Sequence, residues 1–347
     1  MQKRSEDGDF EKNRAEIMSN KKAAGRILSF LGILGILLFG LSRASVLMNR
    51  SVHPLFNYAT SGIFAEEKES IDVLTIGDSD VYSGLIPAKL WELSGITSFS
   101  WGEPAQRPPE TYSYLKKIYQ EQNPQVVFID VNHLFRDEKL SDNLDSITRA
   151  AIEKPFPVVL YHRKLDSFQN FLAQDYTITK GYLYRDDAKK PKMKKNHFKE
   201  TDKITAIHPI TRWYLERSVE LCRENGSSVV LLYIPTYKEW TYSNHNAVME
   251  LGSELGLPVL DLNLEMQEEI DWGTDTADYG YHLNYSGAQK VTDRIAKYLE
   301  DNYDLEDHRG DPAYQRWQKD SEAFRGEVEK EILEKERREK ERQMQGA

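Results

Sequence analysis

The chain is poor in cysteine and has no surplus of positive charge. Its single cysteine, Cys222, excludes an internal disulfide and belongs to no zinc motif. The 46 Lys and Arg residues stand against 56 Asp and Glu, for a net charge of −10, and no basic stripe of the size that nucleic acids require is present. No internal repeat and no recognisable spacing of metal ligands occurs. We therefore expect no nucleic-acid partner, no bound metal and no cofactor.

Long apolar runs are absent except for one near the N-terminus. Residues 27–41, "ILSFLGILGILLFGL", carry no charge, and the run extends over 23–48 if Arg26 and Arg43 are included. The uncharged part spans roughly 23 Å, so both arginines must reach the interfaces for the segment to cross a core of about 30 Å. Five Lys or Arg residues lie just upstream and two just downstream. This asymmetry predicts a single-pass anchor in the cell membrane, with the N-terminus in the cytoplasm and the rest of the chain outside. A cleaved signal peptide is the alternative.

Short apolar segments alternate with amphipathic ones after the apolar run. The predicted strands are "IDVLTIG", "ITSFSWG", "QVVFIDVN", "SSVVLLYIPT" and "LPVLDLN", and helical patterns lie between them. Such alternation is typical of a parallel sheet that is covered by helices on both faces. We predict an α/β protein with a three-layer α/β/α, flavodoxin-like arrangement of about five mostly parallel strands.

The composition divides the chain into five parts. They are a cytoplasmic N-terminal segment (1–22), a transmembrane anchor (23–48), a juxtamembrane linker (49–69), the α/β domain (70–304) and a charged helical tail (305–347). Within the tail, "GEVEKEILEKERREKER" has favourable i, i+4 charge pairs but too few apolar residues for a coiled coil. This pattern indicates a solvated single helix or a fraying tail.

An insertion at residues 136–204 interrupts the alternation of strands and helices. It is rich in charge and aromatic residues, and insertions of this length are usually lids or binding regions. We expect it to be helical and to cover the carboxyl edge of the sheet. Its basic run "KKPKMKKNHFK" is either solvated surface or a contact for a polyanion such as teichoic acid or a lipid headgroup.

A serine stands where the first predicted strand ends, in "VLTIGDSDVYSG". A hydroxyl at this place faces the crevice where α/β sheets bind ligands, but Ser79 is inert unless an imidazole takes its proton. "TADYGYHLNYSGAQKVT" supplies His282 as the general base and Asp278 as the acid that orients it, with Asp275 as the alternative acid.

An oxyanion hole must complete such a site. The candidates are the backbone N–H groups of Ser79 and Gly102 and the side-chain amide of Asn132, all at carboxyl ends of predicted strands. His162, in the insertion, is a candidate contact for the substrate.

The order of these residues resembles the SGNH/GDSL hydrolase superfamily over about residues 70–300. Its four signature residues would correspond to Ser79, Gly102, Asn132 and His282. Two blocks depart from the family pattern. "DVNH" has Asp and His where the family has Gly and Asp, and Asp278 lies four residues before the histidine instead of three. The resemblance implies the SGNH fold and acyl-ester chemistry.

The anchor, the insertion "YHRKLDSF…DYTITKGY" and the ending "HLNYSGAQKVT" resemble an exported branch of that superfamily. This branch is similar to the D-alanyl-lipoteichoic acid and alginate O-acetylation proteins, which work beside membrane-bound O-acyltransferases. The resemblance implies an extracytoplasmic esterase or O-acyltransferase that acts on a cell-envelope polysaccharide or teichoic acid, with such an acyltransferase as partner.

Two other functions compete with this one. The first is a non-enzymatic accessory subunit that binds polymer or docks on an acyltransferase, with an idle site. The second is a lipase or peptidase, although the sequence lacks the broad apolar lid of a lipase.

Overall fold

The computed structural model describes residues 21–40, 55, 60–135, 148 and 177–345. The chain divides into two compact units, Met1–Asn49 with Ala151–Leu172 and Arg50–Ala150 with Ala173–Ala347. In the first unit, helix α1 (Lys21–Gly40) is long and apolar enough to cross a membrane, a test that an N-terminal signal sequence also passes. The rest of the predicted anchor, 41–48, lies outside the described residues.

The second unit is built on a parallel sheet of five strands in the order β2-β1-β3-β4-β5. The strands are β1 (Val73–Gly77), β2 (Ser98–Gly102), β3 (Val126–Asp130), β4 (Ser228–Tyr233) and β5 (Val259–Asp261). All residues of the first three strands are buried, as expected for strands that are covered on both faces. The predicted α/β class and the five-stranded parallel sheet are confirmed.

Helices cover both faces of this sheet. They are α2 (Ser79–Gly84), α3 (Pro87–Ser94), α4 (Pro108–Ile118), α5 (Pro209–Glu224), α6 (Tyr242–Leu255), α7 (Leu262–Glu265), α8 (Tyr285–Asn302) and α9 (Gln315–Gln345). Alternate residues of each strand face opposite sides, so two hydrophobic clusters form. In β3, Val127 and Ile129 join the cluster that includes α4 and α5, whereas Val126 and Phe128 join the cluster that includes α8. Cys222 is buried in the first cluster, as core packing.

The described part of the insertion, 177–204, consists of turns and extended chain. Two backbone hydrogen bonds attach it to the domain. Ser100 N in β2 donates to Lys180 O, and Leu183 N donates to Tyr82 O in α2. It therefore runs from the edge of the sheet past the start of α2. Residues 136–147 and 149–176, on which the predicted helices of the insertion depend, lie outside the described residues.

The charged tail forms α9, and its first half packs on the α/β domain. Trp317, Phe324 and Val328 are buried. Asp320 accepts a hydrogen bond from Lys180 Nζ at 2.6 Å, and Glu66 accepts another at 2.7 Å. After Val328 the side chains are mostly exposed, so this part of the tail is the solvated helix that its charge pattern indicates.

Candidate active site

Three of the predicted site residues lie at the carboxyl edge of the sheet, where the strand order changes direction. Ser79 begins α2 directly after β1, Asn132 follows β3, and Gly102 is the last residue of β2. In a sheet of this order the crevice between β1 and β3 is the usual place for a ligand. The topology therefore gathers these residues at a position that suits binding.

The turn that carries Ser79 is held tightly. Asp78 caps α2, because its Oδ1 accepts a hydrogen bond from Asp80 N at 3.0 Å. On the other side, a Cβ built on Gly102 would lie 2.5 Å from Asp78 O, so only glycine permits this approach. The Ser79 side chain is consequently presented from a rigid backbone with little exposure, 9% of the residue.

A short antiparallel pair of strands, β6 (Thr276–Ala277) and β7 (His282–Leu283), holds the acid and the base: Asp278 directly follows β6, and His282 begins β7. The His282 Nδ1 atom lies 2.7 Å from Asp278 Oδ2. We assign Nδ1 as the donor, which leaves Nε2 free to accept a proton.

The connection between β6 and β7 explains how an acid four residues before the histidine reaches it. Asp278, Tyr279 and Gly280 all have positive φ angles, of 41°, 63° and 87°. The left-handed region is unfavourable for a residue as bulky as Tyr, so the surroundings must hold the turn in place. The turn folds Asp278 back toward the imidazole.

The alternative acid, Asp275, is engaged elsewhere. Its carboxylate accepts hydrogen bonds from Lys290 Nζ at 2.6 Å, from Ser286 Oγ at 2.7 Å and from Asp271 N at 2.8 Å. Asp275 thus ties the start of α8 to the preceding turn. Of the two candidate acids, Asp278 is the one that contacts His282.

The nucleophile and base candidates are linked through Tyr82. The Tyr82 ring stacks on the His282 imidazole, with centroids 6.4 Å apart and planes at 18°. Tyr82 lies three residues after Ser79 and therefore shares its face of α2. Among the described residues no hydrogen bond joins Ser79 to His282, and such bonds often tighten only when substrate is bound.

Arg185 is a member of the site that the sequence did not suggest. Its Nη1 atom lies 2.8 Å from Asp278 Oδ2 and 3.3 Å from His282 Nδ1. Burial raises the pKa of Asp278, but the hydrogen bond from His282 and the charges of His282 and Arg185 outweigh it, so the pKa lies below its ordinary value. Arg185 therefore helps to keep Asp278 ionised.

Both N–H groups of the Asn132 side-chain amide already donate hydrogen bonds within the protein. Its Nδ2 atom donates to Asp80 Oδ2 and to Glu239 Oε2, each at 2.6 Å. An oxyanion could use this amide only if one carboxylate moved away. Asp80 is buried, whereas Glu239 is half-buried, so Glu239 is the group with room to move.

Asp80, one of the two partners of this amide, belongs to a group of buried carboxylates. Carboxylate oxygens of Asp78, Asp80 and Asp130 approach within 4.8 Å of one another. Burial, together with the charges of Asp78, Asp130 and Glu239, raises the pKa of Asp80 well above its ordinary value, against the hydrogen bond from Asn132. Asp80 therefore favours its neutral form. The group has the composition of a cation site, but an acidic cluster alone does not indicate a bound ion.

His162, the predicted substrate contact, lies outside the described residues.

A comparison of the chain with protein-family models finds no match, and a comparison with curated proteins finds none either. Among solved structures it is similar to a protein of the G-D-S-L family, described as lipolytic, from Desulfitobacterium hafniense DCB-2, with 14% identity and a TM-score of 0.37 over 65% of this chain and 98% of that chain. It is also similar to a lipase/acylhydrolase from Enterococcus faecalis, with 13% identity and a TM-score of 0.36 over 68% and 98% of the two chains. A third is a catalytic mutant of Axe2, an acetylxylan esterase from Geobacillus stearothermophilus, with 12% identity and a TM-score of 0.34 over 67% and 94%. At these TM-scores we draw no functional conclusion from the likenesses.

Proposed function

We propose that this protein is a serine esterase or O-acyltransferase of the SGNH type. The observation that carries the proposal is the hydrogen bond between Asp278 and His282, with the imidazole stacked on Tyr82 one helical turn from Ser79. Acyl transfer by serine needs a nucleophile, a base that takes its proton and an acid that orients the base. The edge of the sheet at the β1–β3 crevice provides the place for the substrate.

In the proposed reaction Ser79 Oγ attacks the carbonyl carbon of an acyl ester, and His282 Nε2 takes its proton. The oxyanion is held by the N–H groups of Ser79 and Gly102 and by the Asn132 amide once Glu239 has released it. His282 then returns the proton to the leaving alcohol, which yields an acyl-serine. Water, or the hydroxyl of an acceptor, then attacks the carbonyl carbon of the acyl-serine while His282 takes its proton. The bond to Ser79 Oγ breaks, His282 returns the proton to that oxygen, and a carboxylic acid or a new ester is released.

We further propose that the reaction takes place outside the cytoplasm, on a cell-envelope polysaccharide or teichoic acid and beside a membrane-bound O-acyltransferase. The basic residues that precede the apolar helix support this topology. The resemblance of the sequence to exported O-acetylation proteins supports the substrate class and the partner.

A fluorophosphonate probe tests the enzymatic proposal, because it labels only an activated serine. The wild-type full-length chain in detergent should be labelled and should hydrolyse p-nitrophenyl acetate, and Ser79→Ala should abolish both. Ser83→Ala is the matched control, since Ser83 is a buried serine of the same helix, and it should keep labelling.

One observation favours the accessory-subunit alternative, namely that the Asn132 amide is bound to two carboxylates and not open to a substrate. If wild type and Ser79→Ala are indistinguishable in labelling and in ester turnover, the enzymatic proposal is wrong and the accessory role replaces it.

A further inference from the structure

The segment 189–199 concentrates positive charge in an acidic protein. It carries six lysines and no acidic residue, in a chain whose net charge is −10. All six are exposed. They are Lys189, Lys190, Lys192, Lys194, Lys195 and Lys199.

These charges are largely unneutralised within the part of the chain that the structure describes. Lys189 pairs with Asp187 at 3.2 Å, whereas the other five form no ion pair with a described residue. By contrast, the partly exposed Arg212 is paired with both Glu216 and Glu254. Five like charges held close together repel one another, and a multivalent anion would relieve that repulsion.

The lysine segment is fixed against the turn that carries His282 and Asp278. Lys189 N donates a hydrogen bond to Thr276 O in β6 at 3.0 Å. Two residues further on, Pro191 Cβ lies 3.2 Å from where a Cβ of Gly280 would be. The lysine segment therefore begins in contact with the turn that connects Asp278 to His282.

The segment also lines a cavity of about 350 Å³ that is open to solvent. Residues 193–199, Tyr237 and Gln267 line it. The His197 ring stacks on Tyr237 with centroids 4.0 Å apart, and Lys194 N donates to the Tyr237 hydroxyl. Aromatic faces, an amide and ammonium groups together suit a sugar or polyol unit with anionic neighbours.

We propose that the lysine segment is the binding surface for a polyanionic chain, and that it presents this chain to Ser79 as the carrier of the acyl ester or of the acceptor hydroxyl. This inference rests on the proposed acyl-transfer function. A polymer with an anionic group in each repeat can place one such group beside each of the five lysines. A lysine ammonium binds an anion as a single point charge, and it does not form the bidentate contacts of an arginine. A polymer is favoured over a lipid headgroup because the segment is bonded to the turn where the chemistry takes place.

The test uses the full-length chain in nanodiscs of neutral lipid, with poly(glycerol phosphate) as the probe and dextran as the uncharged control polymer. The variant K192Q/K194Q/K195Q/K199Q should raise the Kd for the polyanion at least tenfold and flatten its salt dependence. K297Q/K319Q/K330Q/K340Q removes the same charge from exposed lysines of α8 and α9, and it should leave the Kd within about twofold. Dextran should not bind to any of the three proteins.

The two quadruple variants distinguish this inference from the proposed function. Fluorophosphonate labelling and p-nitrophenyl acetate turnover of the wild type and of the α8–α9 variant test the proposed function separately, because a small ester is used without the polymer. If the two variants bind poly(glycerol phosphate) equally well, the inference is wrong. A second set of discs that contain phosphatidylglycerol tests the lipid alternative: the inference is also wrong if these discs protect 190–199 from hydrogen exchange and the polymer, added to neutral discs, does not. Lysine-dependent polymer binding without any labelling of wild type would retain the surface and overturn the enzymatic proposal.

Discussion

Glu239 accepts a hydrogen bond from the Asn132 amide at 2.6 Å, at the edge of the sheet where an oxyanion would need that amide. A carboxylate bound there competes with a developing negative charge and also repels it. In the proposed mechanism Glu239 must withdraw before Asn132 can act.

Glu239→Ala should therefore raise the turnover of p-nitrophenyl acetate. One competing hydrogen bond is removed, so the expected gain is about 2- to 10-fold. Asn132→Ala should lower turnover by about 10²- to 10³-fold. If both variants lose activity to the same extent, Glu239 positions Asn132 instead of competing for it.

Asp278→Asn should lower kcat by about 10³- to 10⁴-fold, because an amide in this place disfavours the productive imidazole tautomer. Asp275→Asn is the matched control. It should reduce stability, since it weakens the bonds to Lys290 and Ser286, but leave kcat per labelled active site nearly unchanged. A large loss of kcat in Asp275→Asn with a mild loss in Asp278→Asn would show that the acids are assigned the wrong way round.

Arg185→Gln should lower stability in a pH-dependent manner. The pKa of Asp278 is lower in the folded chain than its value of about 3.9 in an unfolded one, so the folded state gains stability above pH 4 and loses it as the pH falls through the folded pKa. Removing Arg185 reduces this gain. The difference from wild type in urea unfolding should be about 1 kcal/mol or less at pH 6, because 39% of the Asp278 side chain is exposed, and it should shrink progressively as the pH is lowered below about 4.

The double variant is the control for this prediction. In an Asp278→Asn background, Arg185→Gln should have no pH-dependent effect between pH 3 and 6. An undiminished effect in that background would mean that Arg185 acts through another group.

Lys180→Met should strongly destabilise the domain. Burial lowers the pKa of Lys180 to about 8, so at pH 7 the amine is still mostly charged and bridges Glu66 and Asp320. Its removal leaves the buried carboxyl groups of Glu66 and Asp320 without their cation. Burial and the charge of Glu66 raise the pKa of Asp320 to about 8, so Asp320 can take up a proton and limit the loss, and we expect a cost of about 3 kcal/mol in urea unfolding.

Lys319→Met is the control, since it places the same substitution on an exposed position of α9. It should change stability by less than about 0.5 kcal/mol. Hydrogen exchange should show faster opening of 315–328 in Lys180→Met only. Equal stability of the two variants would contradict a role for the Lys180 ion pairs.

Local patterns were sufficient to predict the sheet. The strand β1 is a short segment of apolar and β-branched residues that ends in Gly-Asp-Ser, and the following strands are similar, so a mostly parallel sheet and the position of Ser79 at the end of a strand followed from general rules. The exposed half of α9 was also predictable from its charge pairs.

Contacts between distant positions could not be predicted in this way. Arg185 and Asp278 are 93 residues apart, and nothing in "GYLYRDD" indicates that partner. The docking of α9 depends on three widely spaced apolar side chains in a charged sequence, a pattern too sparse to detect. The strands β6 and β7 have two residues each, which is too short for any periodicity.

The bridge formed by Lys180 has a consequence for how relatives of this chain can diverge. Its three members come from the predicted linker, the insertion and the C-terminal helix, and each is costly to keep without the others. Among homologous sequences, positions 66, 180 and 320 should consequently change together: a homologue with an apolar residue at 180 should also have neutral residues at 66 and 320. Such covariation would identify the homologues in which α9 packs on the α/β domain as it does here.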